Sequence, residues 1–270
     1  SNVGDPLPLQ DEDNCTQWGA MYHLYPTSIT RSFEFEEVRN KVCQAQSFAH
    51  HIVNFEWPPF NIDSVESRKV HPIAKRWLNM NTVFNRQPIH QFTFSNGDRI
   101  VIATDGSGGS ADHDHPEMPS WALSLFVERA DVTWYFGSVG GPLGNGLNWP
   151  CCQWDSNSAE LTAISMAYAL ILSVDKVIAE NVMVGCVIYY DSMFAALISS
   201  AVWSSETHND LSFLSSMLYF SVRMSNVNIQ LEHVPAHAGQ PHNELVDSMA
   251  TLFSKGLVDI GHLDLCRGFN

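Results

Sequence analysis

The chain has 270 residues, of which 45% are hydrophobic and 16% are charged, which is enough for one sizeable core or two small domains. Its formal net charge of -15 at pH 7 is a poor match for a protein whose affinity depends on phosphate contacts. The chain has no run of eighteen apolar residues, and residues 1–14 lack the features of a signal peptide. We therefore expect an intracellular protein, cytoplasmic or nuclear, without a membrane segment.

Residues 1–90 form the first region along the chain, which we interpret as a partly helical N-terminal extension of unknown function. Apolar residues recur at helical spacing from about Phe33 to Phe55, and the prolines at 58 and 59 end that pattern. A second helix, rich in Lys and Arg, is predicted from about Val65 to Phe84. The first hundred residues hold 9 of the 14 Lys and Arg residues of the chain.

The spacing of apolar residues shortens from Gln91 onward, which is typical of strands. Residues 91–105 alternate and turn at Asn96-Gly97, and their second arm, Ile100–Thr104, is apolar enough for a central strand. Residues 121–128 and 132–138 predict a hairpin that follows it.

Helices and strands then alternate to the end of the region. The predicted segments are a helix at 157–174, a strand at 182–191, helices at 192–203 and 209–224, a strand at 227–234 and a helix at 242–256. Asn243 is the expected N-cap of the last helix, and Gly256 its end. This order, βββαβααβα, predicts a mixed five-stranded α/β sheet with helices on both faces, spanning residues 91–256 and followed by a C-terminal tail at 257–270.

Four carboxylates stand at the ends of predicted strands and the starts of predicted helices. Asp105 and Asp191 each end an apolar strand, Glu160 lies near the start of a helix, and Asp247 lies one turn inside the last helix. Taken singly, each is explained as a turn, cap or solvated residue. Together, at the carboxyl edge of one sheet, they would repel each other unless they shared protons or held cations such as Mg²⁺. The set therefore predicts a site for divalent cations.

Four motifs in this order resemble type 1 ribonuclease H, including the ribonuclease H domains that follow reverse transcriptase in retroelements. They are TDGS from Thr104, NSAELTAI from Asn157, YYDS from Tyr189 and HVPAHAGQPHNELVDSMA from His233. The resemblance covers residues 100–255, a little over half of the chain. It implies a ribonuclease H-like fold, and because the chain lacks an initial Met we expect it to be part of a longer retroelement or reverse-transcriptase polyprotein.

The resemblance also implies an activity and a set of site residues. Two divalent cations, Mg²⁺ or Mn²⁺, would be held by Asp105, Glu160, Asp191 and Asp247. The reaction would be hydrolysis of the RNA strand of an RNA–DNA hybrid, with one ion activating a water and the other stabilising the leaving 3′-oxygen. His237 would assist proton transfer or product release, although a zinc site with His233 and His242 is a less favoured interpretation. The implied substrate contacts are Gly106, Ser107, Asn157, Ser192 and Asn243.

Several departures from the family pattern predict weak substrate binding. Asp155 would repel phosphate near the helix start, and Met193 stands where a polar residue is common. The region also has few cations after Ile100; up to residue 255 they are Arg129, Lys176, Arg223 and Lys255. We therefore expect the extension, or another part of a polyprotein, to supply positive charge. Two alternatives remain open: a non-catalytic ribonuclease H-like scaffold or interaction module, and a related nuclease that acts on DNA.

Overall fold

The computed structural model describes residues 69–109, 117–143, 155–205 and 209–257. Within these ranges it contains one six-stranded sheet and five α-helices. The strands are β1 (Thr82–Phe84), β2 (Arg99–Ser107), β3 (Ser120–Arg129), β4 (Val132–Pro142), β5 (Val184–Tyr190) and β6 (Val227–His233). The helices are α1 (Pro72–Asn81), α2 (Ser156–Asp175), α3 (Met193–Ser199), α4 (Asn209–Arg223) and α5 (Pro241–Ser254).

The strands lie in the order β1-β4-β3-β2-β5-β6. Strands β2, β3 and β4 form an antiparallel meander, whereas β5 and β6 run parallel to β2 and β1 runs parallel to β4. Ala103 pairs with Tyr189 in the ladder between β2 and β5. Two residues further on, Asp105 is level with Asp191, so the carboxyl ends of these two parallel strands meet at one edge of the sheet.

Helices cover the sheet on both faces. Side chains alternate along β2, so Val101 and Ala103 face α1 and α5, while their neighbours Ile100 and Ile102 face the opposite side. Helix α2 packs against β2 on that other side and is itself covered by α3 and α4. Because it is surrounded, 14 of its 20 residues are buried.

Helix α2 is also long and apolar enough to cross a membrane, the one such helix among the described residues. Of its most apolar window, 78% is buried inside the protein. Its hydrophobicity is therefore explained by its position in the core.

The predicted elements are found in order, with three local differences. The helix predicted for about Val65 to Phe84 is wrong at its end, because α1 stops at Asn81 and Thr82–Phe84 pair with β4 as a sixth strand. β-Branched and aromatic residues favour this pairing. The alternating arm from Gln91 is not a strand; it follows a 3₁₀ turn at 89–91 and leads into the predicted turn, where Gly97 has φ of 89°.

The third difference concerns the start of α5. Its N-cap is Gln240, whose Oε1 accepts a hydrogen bond from the Asn243 N–H at 2.7 Å. Asn243 is thus inside the first turn, and the N-cap predicted for it is wrong. The predicted end is confirmed, since Gly256 follows the helix with φ of 62°.

Helix α1 contributes to the same core as the sheet, although its residues fall in the predicted extension. Ala74 and Leu78 of the helix, with Val70 just before it, are buried against residues of α5 and of β2 to β4. The division at residue 90 stays a prediction, and most of the extension and of the tail lies outside the described residues.

Candidate active site

Three of the four predicted carboxylates converge at the carboxyl edge of β2 and β5. Asp105 lies on β2 and is only 5% exposed, Asp191 directly follows β5, and Glu160 lies in the first turns of α2. One carboxylate oxygen from each lies within 4.8 Å of the others. Residues separated by 86 positions in sequence therefore face one small volume.

The capping of α2 fixes the position of Glu160. The Asp155 carboxylate accepts a hydrogen bond from the Ser158 N–H at 2.8 Å, and the Ser158 hydroxyl accepts one from the Asp155 N–H at 2.9 Å. This reciprocal capping box starts the helix at a defined residue. Asp155 thus acts as a helix cap, which explains an acidic residue at this position.

Gly106 joins β2 to α2 by close backbone contact. A Cβ placed on Gly106 would lie 2.3 Å from the Glu160 nitrogen and 2.6 Å from the Ala159 carbonyl carbon, so no other residue fits without moving the helix. Its N–H hydrogen-bonds the carboxylates of Asp105 and Glu160. Gly106 therefore has a structural role at the site, and its predicted substrate contact stays a prediction.

The electrostatics of the site are those of acidic groups that are buried close to one another. Burial, with the charges of Asp191 and Asp247, raises the pKa of Asp105 well above its ordinary value. Burial, followed by the charge of Asp105, does the same to the pKa of Glu160. The pKa values of Asp191 and Asp247 are also raised, chiefly by burial. The chain gathers negative charge here at an electrostatic cost that a bound cation would offset.

Asp247 and His237 occupy the side of the site formed by α5 and the loop before it. The His237 Nδ1 lies 4.0 Å from the Asp247 Oδ2. His237 is 77% exposed in its side chain and has φ of 53°, on a loop that continues to Gly239. The loop thus presents an imidazole to solvent beside the last predicted carboxylate.

Asn243 is the predicted substrate-contact residue that lies deepest in the site. Its side chain hydrogen-bonds Asp191, which opposes the effect of burial on the pKa of that carboxyl. Asn243 is 3% exposed, and its Oδ1 has no hydrogen-bond partner among the described residues. A buried acceptor without a donor is unusual, and it suits a ligand or a bound water.

The other predicted substrate contacts are less enclosed. Ser107 ends β2 and is partly exposed, while Asn157 is exposed in the first turn of α2. Ser192 is the N-cap of α3, where its hydroxyl accepts a hydrogen bond from the Ala195 N–H at 3.2 Å. Their predicted contacts with substrate stay predictions.

Among the described residues, His233, His237 and His242 do not form the alternative zinc site. His242 is buried, with its ring centroid 4.4 Å from that of Trp77 and 4.8 Å from that of Phe126. Burial lowers the pKa of His242 to about 4, so its ring is neutral. The His233 Nε2 instead lies 3.2 Å from the Asp191 carbonyl oxygen.

The family match covers most of these residues. Residues 144–254 match the family model described as RNase H. This segment of the chain belongs to the ribonuclease H family. The match includes Glu160, Asp191, His237 and Asp247, while Asp105 precedes it on the central strand of the same sheet. The predicted family and the predicted ribonuclease H-like fold are confirmed.

The solved structures that match the chain have low sequence identity to it. The N-terminal ribonuclease H domain of a Mycobacterium tuberculosis protein is 17% identical, with 59% of this chain and 99% of that chain covered and a TM-score of 0.40. Ribonuclease H1 from the archaeon Halobacterium salinarum is 17% identical, with coverages of 57% and 96% and a TM-score of 0.38.

A foamy viral protease-reverse transcriptase in complex with an RNA/DNA hybrid is 13% identical, with coverages of 64% and 21% and a TM-score of 0.35. No curated protein matches the chain.

Two residues at the site were not predicted from the sequence. Glu244 is 4% exposed; its Oε1 accepts a hydrogen bond from the Gly239 N–H at 3.0 Å, and its Oε2 lies 3.8 Å from the His71 Nδ1. Glu244 thereby holds the loop that carries His237. Its place directly after Asn243 in the terminal motif was the available signal, whereas nothing in the sequence around His71 indicates this contact.

Proposed function

We propose that the chain is a metal-dependent endoribonuclease that hydrolyses the RNA strand of RNA–DNA hybrids. The observation that carries the proposal is the convergence of the Asp105, Glu160 and Asp191 oxygens within 4.8 Å. Acidic groups gathered in this way, with pKa values raised by burial and mutual repulsion, are typical of functional sites.

The donor set fits hard divalent cations. Asp105, Glu160, Asp191 and Asp247 offer carboxylate oxygens, which Mg²⁺ and Mn²⁺ prefer, and no thiol or buried imidazole competes among the described residues of the site. The unpartnered Asn243 Oδ1 fits a hydrogen bond from a water molecule, since magnesium sites in proteins keep several waters. A pair of such ions, when bound, supplies an activated water and stabilises both the attacking and the leaving oxygen of a phosphodiester.

The chain's own residues account for the rest of the reaction. Asn243 holds Asp191 in place through a side-chain hydrogen bond. His237, exposed beside Asp247, is placed to carry a proton between the site and solvent at Nδ1 or Nε2. The 2′-hydroxyl that distinguishes RNA from DNA is available in the minor groove of the hybrid. We assign Ser107 and Asn157, at the exposed rim, to that contact.

The alternative of a non-catalytic scaffold is disfavoured by the same acidic site. A buried carboxylate without a counter-ion costs stability, so a module that bound no cation would gain from losing it. All four carboxylates are present. We further propose that the chain is part of a larger reverse-transcriptase polyprotein, in line with the resemblance of its motifs to retroelement ribonuclease H domains.

Cleavage of a labelled RNA–DNA hybrid by the full chain, in Mg²⁺ and in Mn²⁺, tests the activity. We expect cleavage of the RNA strand that is lost in Asp191→Asn and kept in Asp131→Asn. The second variant removes the same charge from an exposed turn between β3 and β4, at the opposite end of the sheet. Duplex RNA and duplex DNA should resist cleavage. If the folded wild-type protein cleaves no more hybrid than Asp191→Asn does in either cation, the proposal is wrong.

A further inference from the structure

We propose that the exposed surface of α1 binds the phosphate backbone of the nucleic acid next to the active site. We call this the α1 surface; it comprises the exposed helical residues Ile73, Arg76, Asn79 and Met80, together with the exposed Lys69 just before the helix. The inference rests on the proposed function and deepens it, because it names the source of positive charge that the acidic domain itself lacks. It also places that source outside residues 144–254, the segment that matches the family.

Helix α1 is fixed beside the loop that carries His237. The His71 N–H donates to the Ser248 hydroxyl at 3.0 Å, which ties the start of α1 to α5. The Ile73 Cδ1 lies 3.8 Å from the position of a Cβ on Gly239, two residues after His237. The Trp77 ring packs on His242 at 4.4 Å between centroids. The first two turns of α1 therefore pack against the loop that carries His237 and against the start of α5.

Arg76 lies on the outward side of α1, next to the loop that carries His237. The inward side of α1 is set by Ala74 and Leu78, both fully buried, so Arg76 lies on the outward side. It is three residues after Ile73, and helical side chains lean toward the N-terminus, which directs Arg76 over the turn that touches Gly239. Among the residues that the structure describes, none forms an ion pair or hydrogen bond with Arg76.

Among the described residues, the cations from β2 to the end of α5 are paired with a carboxylate or lie far from the acidic site. Arg99 pairs with Glu128 at 2.6 Å, Arg129 with Asp98 at 2.6 Å, and Lys255 with Glu117 at 3.5 Å.

Lys176 follows the end of α2, sixteen residues after Glu160, which is roughly 24 Å along the helix at about 1.5 Å per residue. Arg223 ends α4 just before β6 begins, so it lies at the edge of the sheet opposite the acidic site. Neither can act beside the carboxylates.

A phosphodiester backbone is the partner that fits this surface. Guanidinium groups bind phosphate through two parallel hydrogen bonds, and a phosphate chain leading to the acidic site must pass a region where negative charge would otherwise repel it. Such contacts release counterions, so the affinity that they provide falls steeply with salt. The α1 surface should thus contribute to substrate affinity and leave the chemical step unchanged.

The test compares Arg76→Glu with Arg223→Glu, which makes the same charge change at an exposed helix end far from the site. Affinity for a fluorescent hybrid is measured by anisotropy in EDTA, across a range of salt, with the full chain. Steady-state cleavage in Mg²⁺ gives KM and kcat separately. Arg76→Lys, which keeps the charge, is the conservative variant, and thermal unfolding checks that each variant folds.

We expect Arg76→Glu to raise Kd and KM about tenfold at low salt, with kcat changed less than about twofold. The slope of log Kd against log salt should decrease by roughly 0.7–0.9, which corresponds to the loss of about one phosphate contact. Arg76→Lys should recover most of the affinity, and Arg223→Glu should stay within about twofold of wild type.

Equal effects of Arg76→Glu and Arg223→Glu on Kd overturn the proposal, as does a fall in kcat at constant KM. Wild-type protein that shows no measurable hybrid binding at low salt also overturns it. Because the anisotropy measurement needs no catalysis, a chain that binds hybrid through Arg76 without cleaving it would refute the proposed function and leave this inference standing.

Discussion

Replacing Gly106 with alanine should separate β2 from α2 and misplace Glu160. The new Cβ would lie 2.3 Å from the Glu160 nitrogen, and an ordinary contact needs about 3.4 Å, so the helix start must retreat by roughly 1 Å. Both neighbouring atoms belong to backbone, which cannot rotate out of the way as a side chain can. Overpacking of this size costs typically about 1–3 kcal/mol of unfolding free energy.

The consequence for activity should exceed the consequence for stability. A displacement of about 1 Å in a group that positions reacting atoms can lower the rate about 100-fold. The matched control is Gly141→Ala on β4, where a Cβ meets nothing within 4 Å. Urea unfolding and hybrid cleavage measure the two effects. If Gly106→Ala unfolds and cleaves as Gly141→Ala does, the close contact between β2 and α2 does not position Glu160, and the reasoning fails.

Three further substitutions test other parts of the site. Asp105→Asn should raise the unfolding free energy by about 1–3 kcal/mol at pH 7.5 without divalent cations, as measured by urea unfolding in EDTA, because it removes a buried and uncompensated charge. The pKa of Asp105 in the folded state is raised above 3.8, so the stability that this carboxyl contributes in its protonated form is lost as the pH rises from about 4 toward the higher value. The Asp105→Asn variant should therefore lose less stability than wild type over this pH range. Profiles of unfolding free energy against pH that run parallel for the two proteins would contradict the prediction. His237→Ala should lower kcat about 100-fold in the cleavage assay while its unfolding free energy stays within about 0.5 kcal/mol, because the side chain is 77% exposed; a large loss of stability would indicate a structural role instead. Glu244→Ala should cost about 2 kcal/mol in urea unfolding by leaving the Gly239 N–H without its acceptor, and Glu244→Gln should retain most of that stability; equal losses would show that the acceptor is not what matters.

Much of the fold was predictable because its signals are local. The continuous apolar run Ile100–Thr104 and the apolar length of α2 identify a central strand and a core helix without knowledge of their partners. Strand ends can then be paired by general rules of α/β sheets, which is why Asp105 and Asp191 were expected side by side. The structure agrees, since the ladder that pairs Ala103 with Tyr189 brings both carboxylates to the same edge.

The elements that sequence reasoning missed depend on contacts between distant segments. The hydrogen bond from His71 to Ser248 spans 177 positions, and no local pattern encodes it. Strand β1 has three residues, too few to show a period of two, and it exists because β4 offers an open edge. Gln240 caps α5 instead of Asn243 because Pro241 follows it, and proline favours the first helical position.

The central claim is that the gathered carboxylates form a site for divalent cations. Calorimetric titration of the full chain with Mn²⁺ at pH 7.5 tests it directly and needs no substrate. Wild-type protein should bind two ions, and Asp105→Asn should lose at least one of them, while Asp131→Asn should bind as wild type does. Absence of Mn²⁺ binding, or binding that is indifferent to Asp105→Asn, would contradict the claim.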